Sequence, residues 1–137
     1  MIKIDKNNFE EINTKEEFYI HDYIIHELRF DYCQKRIDFS IEPYISNGEI
    51  KHIIFENVIG MEMITADLWG KSPRIFDFYS VKFHERQLVP KIFRKMHEQE
   101  DHGEFSRLTV PEDYIELFIE GISGDQFRIA CEYLLWN

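Results

Sequence analysis

Six histidines and two cysteines are the residues of this 137-residue chain with the most chemistry to offer. A catalytic zinc usually takes three protein ligands, and two histidines share an ion most readily at i, i+4 on one helix face. His21-Asp22 and His26 give an H-D-x3-H spacing. In an extended strand, residues five apart face opposite sides of the sheet, so these two rings point away from each other. His97 and His102 are similar to the zinc-protease helix pattern but with one residue too many between them. His52 stands alone. No pair has a third ligand at diagnostic spacing, so the sequence predicts neither a metal site nor a cofactor. His26 alternates with Ile24, Leu28 and Phe30 and is expected to be a hydrogen-bonded core histidine.

Neither Cys33 nor Cys131 has an activating base marked in sequence. Cys131 alternates with Phe127 and Ile129, as a small buried hydrophobe does. Two cysteines do not make a disulfide scaffold, so both thiols are expected free in a reducing cytoplasm. Residues Met1 to Lys6 carry no secretory pattern, and no apolar run approaches the roughly 18 residues of a membrane span. Nucleophile-elbow, Walker and dinucleotide-glycine motifs are absent from the sequence. The 26 acidic residues supply carboxylate pairs so freely that none is singled out. The catalytic set is therefore unknown, and a non-enzymatic role is favoured.

The formal net charge of −10 argues against a nucleic-acid binder, which must neutralise phosphates. Residues 1–70 hold 7 basic and 14 acidic residues, residues 71–95 hold 7 and 2, and residues 96–137 hold 2 and 10. The basic island is either a solvated face paired with acidic neighbours or an anion or partner site. Ile75 to Phe83, with Arg74, Lys82 and Arg86 around it, has the aromatic-basic mixture of a single-strand binder, but core packing fits the acidic chain better.

Any such groups must be positioned by strands. Ile115, Leu117 and Ile119, then Phe127, Ile129 and Cys131, are apolar at every second position around a Gly121–Asp125 turn, the period of a hairpin with one face buried. Glu116 and Glu120 are expected on its solvent face. A strand over about Tyr19–Tyr32 is predicted, then one over Arg36–Ile45 with Ile37, Phe39 and Ile41 inward and Pro43 marking an edge. Asn47-Gly48 is a hairpin signal leading to a strand over about Glu49–Val58. There the adjacent Ile53 and Ile54 imply burial on both faces or a bulge. Residues 59–72 suit a strand or a short helix. Arg74–Phe83 reads as a strand with Phe76 and Phe78 opposed to Asp77 and Tyr79. Leu88, Ile92, Phe93 and Met96 form a helical stripe over about 88–100 with Pro90 in the first turn and Gly103 as its stop. Phe105–Val110 reads as a short strand. Residues 1–17 form an opening strand or arm and a loop.

The expected fold is one α+β domain over 1–137: mainly antiparallel sheet (a meander, a curved sheet or a sandwich) with one helix near 88–100. The inward set is Leu28, Phe30, Phe39, Ile41, Phe55, Leu117, Ile119, Phe127 and Ile129.

Ile20-His21-Asp22, Phe55-Glu56-Asn57-Val58 and Ser123 to Cys131 resemble segments of small bacterial β-rich proteins, some assigned as immunity proteins beside polymorphic toxins. The resemblance implies a β-rich fold and a protein partner, and supplies no catalytic residue. A compact acidic domain suits binding to a basic protein by complementary charge. Its rival is a small-ligand-binding or metal-dependent enzyme domain with site groups converging from several strands. No nucleic-acid or membrane partner is expected, and the sequence leaves oligomeric state open.

Overall fold

The computed structural model describes residues 1–45, 48–65, 72–98 and 111–137. In chain order these form β1 (Ile2–Ile4), 3₁₀ turns at Phe9–Asn13 and Glu16–Phe18, β2 (Ile24–Asp31), β3 (Arg36–Glu42), β4 (Lys51–Ile64), β5 (Ile75–Ser80), a 3₁₀ turn at Phe83–Glu85, α1 (Leu88–Glu98), β6 (Ile115–Gly121) and β7 (Gln126–Trp136). The strands make one antiparallel sheet in the order β2-β3-β4-β7-β6-β5, with β1 beside β7. This is the α+β arrangement that the period-two segments and the single period-3.6 segment imply. The sheet curls until its ends meet. Ile24 bridges Arg74, the Asp22 and Ile25 amides donate to the carbonyls of Ile75 and Pro73, and the Ile75 amide donates to Tyr23.

Inside the curl, Phe39 meets Phe55 and Phe127 edge-on at 5.7 and 5.3 Å, and Trp136 packs against Phe18 at 5.3 Å. Ile37, Phe39, Ile41, Phe55, Leu117, Ile119, Phe127 and Ile129 are buried as their parity requires, and Leu28 packs partly buried against them. The N-terminal segment contributes Ile4, Ile12, Phe18 and Ile20 to the same core. The inward set changes parity between Phe55 and Val58 on β4 and between Cys131 and Leu134 on β7. The two changes lie opposite each other, where Asn57 takes φ 51°.

A second apolar layer lies on the outer face, where α1 sets Leu88, Val89, Ile92 and Phe93 against Tyr114 and Ala130. Gly60 lets the helix approach β4. A Cβ there would sit 2.5 Å from Ile92 Cδ1.

Several sequence expectations need correction. Strand β2 begins at Ile24 rather than Tyr19, because residues 16–18 close a 3₁₀ turn and Asp22 takes φ 67°. A bulge between Ile25 and Glu27 inserts one residue, and His26 lies exposed instead of in the core. Phe30 pairs with Ile37 and has inward parity, yet it is 54% exposed. It lies next to the end of β2, where it lines an open groove. Phe76 is likewise exposed at a bulge between Ile75 and Asp77, while Phe78 is buried. Glu116 is fully buried rather than solvent-facing, because the start of α1 and Arg128 of β7 close over it. The ambiguous stretch after Val58 continues β4 as strand to Ile64. Residues 66–71 lie outside the described residues, as do Asn47, residues 99–100, Gly103 and the Phe105–Val110 segment.

Candidate functional site

The histidines were the first candidates, and the structure separates them. His21 lies before β2, not in it. Its Nδ1 donates to the Phe76 carbonyl at 2.7 Å, and its ring stacks on Tyr19. His26 pairs with Glu42 across the β2–β3 bulge. His52, on β4, places Nδ1 2.9 Å from Asp38 Oδ1 and 3.5 Å from Ser40 Oγ on β3. His26, Ser40, Asp38 and His52 thus line one shallow polar strip on the outer face of β2–β4, a hollow of about 530 Å³. Neither ring's spacing in sequence marks this meeting, because it comes from the strand register.

The strip has the residue types of a nucleophilic triad without its geometry. In a triad the carboxylate holds one imidazole nitrogen and the hydroxyl uses the other. Here Asp38 and Ser40 both approach Nδ1 of His52, so the ring cannot be held by one and take a proton from the other. Among the described residues, no group of three His, Cys, Asp or Glu side chains is placed to share an ion. His102 lies outside the described residues.

The cysteines are both free, Cys33 exposed and Cys131 buried. Burial pushes the Cys131 thiol far up from the ordinary range, with Glu132 and Glu56 adding to the effect, so it stays protonated and inert. Three residues of the basic island are engaged within the molecule, while Lys82, Arg94 and Lys95 are exposed. Arg74 lies over the Tyr44 ring at 3.8 Å. Arg86 donates to the Glu112 and Tyr114 carbonyls and stacks on Phe83 and Tyr114. Lys91 pairs with Glu62. Phe78, from the aromatic stretch, stacks on Trp136 in the core and is not available to a base.

Glu116 was missed by sequence reasoning. Its carboxylate accepts the Gln87 amide at 3.0 Å, the Leu88 amide at 2.7 Å and Arg128 Nη1 at 3.0 Å. It caps α1 from the neighbouring strand, where amides and helix dipole both favour a negative charge. The signal in sequence was Phe118 between Leu117 and Ile119, an apolar residue on the face assigned to solvent.

A groove of about 800 Å³ opens where the β2–β3 hairpin ends beside the middle of β4. Its floor is Ile37, Val58 and Met61, and its walls are Phe30, Tyr32 and Ile59. Tyr32 is 96% exposed, and Met63 and Ile64 continue the exposed apolar surface along β4. Asp31, Asp113 and Glu132 stand around it with Lys35 and Arg36. Arg36 is already engaged by the buried Glu56 at 2.6 Å. The groove offers apolar area and carboxylates. Comparison with protein-family models, curated proteins and solved structures returns no match.

Proposed function

We propose that the chain is a non-enzymatic protein-interaction domain that binds a basic partner protein. One observation carries the reading: an apolar groove bordered by carboxylates, lined by exposed aromatic side chains, on a chain of net charge −10. Exposed apolar patches on a folded domain mark interaction surfaces. A long-range acidic field raises the encounter rate with a basic partner. The sharper version is immunity-type inhibition of a toxin in the cytoplasm, where two free thiols are at home. Among the described residues no helix is long and apolar enough to cross a membrane.

The test is co-purification at physiological salt with the wild-type chain and with Phe30→Lys/Tyr32→Lys. The expected result is a basic protein retained by the first and lost by the second, with unchanged thermal unfolding of both. No partner at that salt, or equal retention by both, would count against the groove. Immunity-type inhibition further predicts that a toxin domain is encoded beside this chain, and that co-expression of the chain restores growth to cells making it.

A further inference from the structure

Sheets left with an open edge pair with other chains, and natural proteins blunt such edges. Most edges here are blunted visibly. At β5, the Asn13 side-chain amide takes both the Ser80 amide, at 2.8 Å, and the Ser80 carbonyl, at 3.0 Å, while His21 takes the Phe76 carbonyl. At β1, Asn8 Nδ2 takes the Lys3 carbonyl at 3.0 Å. At β2, the exposed stretch alternates charges at Glu27, Arg29 and Asp31.

One edge is treated differently. Strand β3 pairs with β4 only from Lys51 to Phe55, whereas β4 runs on to Ile64. Over Gly60–Ile64 it pairs with β7 on one side. Among the described residues, no backbone partner stands on the other side. That edge carries Ile59, Met61, Met63 and Ile64, with Glu62 among them turned to Lys91 of α1, and Ile59 to Met61 open into the 800 Å³ groove. A strand placed there would continue the line of β3 past the hairpin end.

We propose that this gap is a strand slot: an extended segment of the basic partner adds to β4 along Ile59–Ile64, with alternate apolar residues entering the groove. The proposal rests on the protein-binding reading above and specifies its mode. Backbone bonding to the edge would supply affinity, and the alternate side chains specificity. Charge chooses the occupant. Asp113 is already paired with Lys6 at 2.9 Å, so Asp31 and Glu132 are the carboxylates left to favour lysine or arginine on the incoming strand, and a second copy of this chain would bring another −10.

The probe is a synthetic peptide of alternating lysine and valine, added to the full chain at low salt, with amide hydrogen exchange as the readout. In the free chain, the Gly60–Ile64 amides on the open side should exchange fast. With peptide they should slow by about tenfold or more, the factor that 1.4 kcal/mol gives. The Ser80 amide should not change, because Asn13 already holds it. A peptide of the same charge, N-methylated at alternate residues, should leave exchange unaltered. Ile59→Lys/Met63→Lys, at two exposed positions, should abolish the protection without changing thermal unfolding.

Equal protection by the N-methylated peptide would overturn the slot, as would peptide binding with no change at Gly60–Ile64. Full protection of both sides of β4 in the free chain would overturn it too, whether the chain's own residues or a second copy supplied the strand. A basic partner that binds while Gly60–Ile64 exchange stays the same refutes the slot alone. Failure to retain any partner refutes the reading beneath it, whatever the peptide does.

Discussion

Replacing Glu116 by alanine should be among the most damaging changes in the protein. The carboxylate is fully buried and serves three donors, the Gln87 and Leu88 amides and Arg128. Removing a helix cap costs about 1 kcal/mol. Leaving a buried donor without a partner costs roughly 1–3 kcal/mol. Breaking a buried charge pair from one side costs about 3–5 kcal/mol, mostly as the penalty on the charge left behind. These overlap, and the Arg128 side chain keeps 26% exposure, so part of its charge can return to water. About 3–4 kcal/mol is the expected loss for Glu116→Ala, a large share of the roughly 5–15 kcal/mol that holds a domain folded. Glu116→Gln keeps the shape and one acceptor oxygen and should lose about half as much.

The assay is equilibrium urea unfolding of both variants, with hydrogen exchange at the Leu88–Glu98 amides to show where the loss falls. The α1 amides should lose protection before those of β6 and β7, since the carboxylate joins helix to sheet. A double-mutant cycle with Arg128→Met should show coupling above about 1 kcal/mol, as expected for groups in direct contact. A loss under about 0.5 kcal/mol for Glu116→Ala, or equal losses for alanine and glutamine, would refute the reasoning and place the carboxylate in solvent.

Three further outcomes follow from the same packing. Phe127→Ala should cost about 3–5 kcal/mol in urea unfolding, since Phe127 is buried against Phe39; a cost under about 0.5 kcal/mol would mean the hairpin register is off by one residue. Gly60→Ala should cost about 1–3 kcal/mol by overpacking. Because the atom it meets is the far end of Ile92, Ile92→Val should relieve most of that loss, and an unrelieved loss would place the strain in the backbone. Cys131 is held protonated by burial, while the unfolded thiol ionises near pH 8.5. With the native pKa the higher, the native state binds more protons above that pH, so stability falls as pH rises, by up to about 1.4 kcal/mol per unit from this group. Burial raises Tyr79 and Tyr114 as well, and they add in the same sense at higher pH. Cys131→Ala should flatten the slope between pH 8.5 and the tyrosine range, and an unchanged slope would refute the assignment.

The strands were legible where one face meets the core and the other meets water. Ile37, Phe39 and Ile41 were assigned inward and are buried, because period two translates directly into a face. The reading failed where something tertiary changed the number of residues or the number of covered faces. One inserted residue at His26 reversed its side, and no residue type announces a bulge there. At Glu116 the parity was right, but the start of α1 and Arg128 closed over it, and a carboxylate that looked solvated became a cap. The polar strip of His26, Asp38, Ser40 and His52 was illegible for a related reason. Its members come from three strands, and only the register brings them together.

The groove was the least legible feature, and the reason bears on function. A catalytic motif is a set of residue types at fixed spacing, and spacing survives in a sequence. The groove is a difference in length: β4 outruns β3, and the apolar residues past Val58 have no strand on their open side among those described. Those residues read as an ambiguous strand or helix because a strand's meaning depends on its neighbour. Buried, they would be ordinary core. Left open beside carboxylates, while the Asn8 and Asn13 side chains take backbone groups at other edges, they are a surface the fold exposes at some cost. Apolar area in water forgoes about 25 cal/mol per Å², and an edge strand risks aggregation. Glu62 is the charged residue of this stretch, and it is turned to Lys91 of α1, so the apolar positions on either side of it stay open, unlike β2, where Glu27, Arg29 and Asp31 alternate along the strand. The partner strand proposed above would cover those positions.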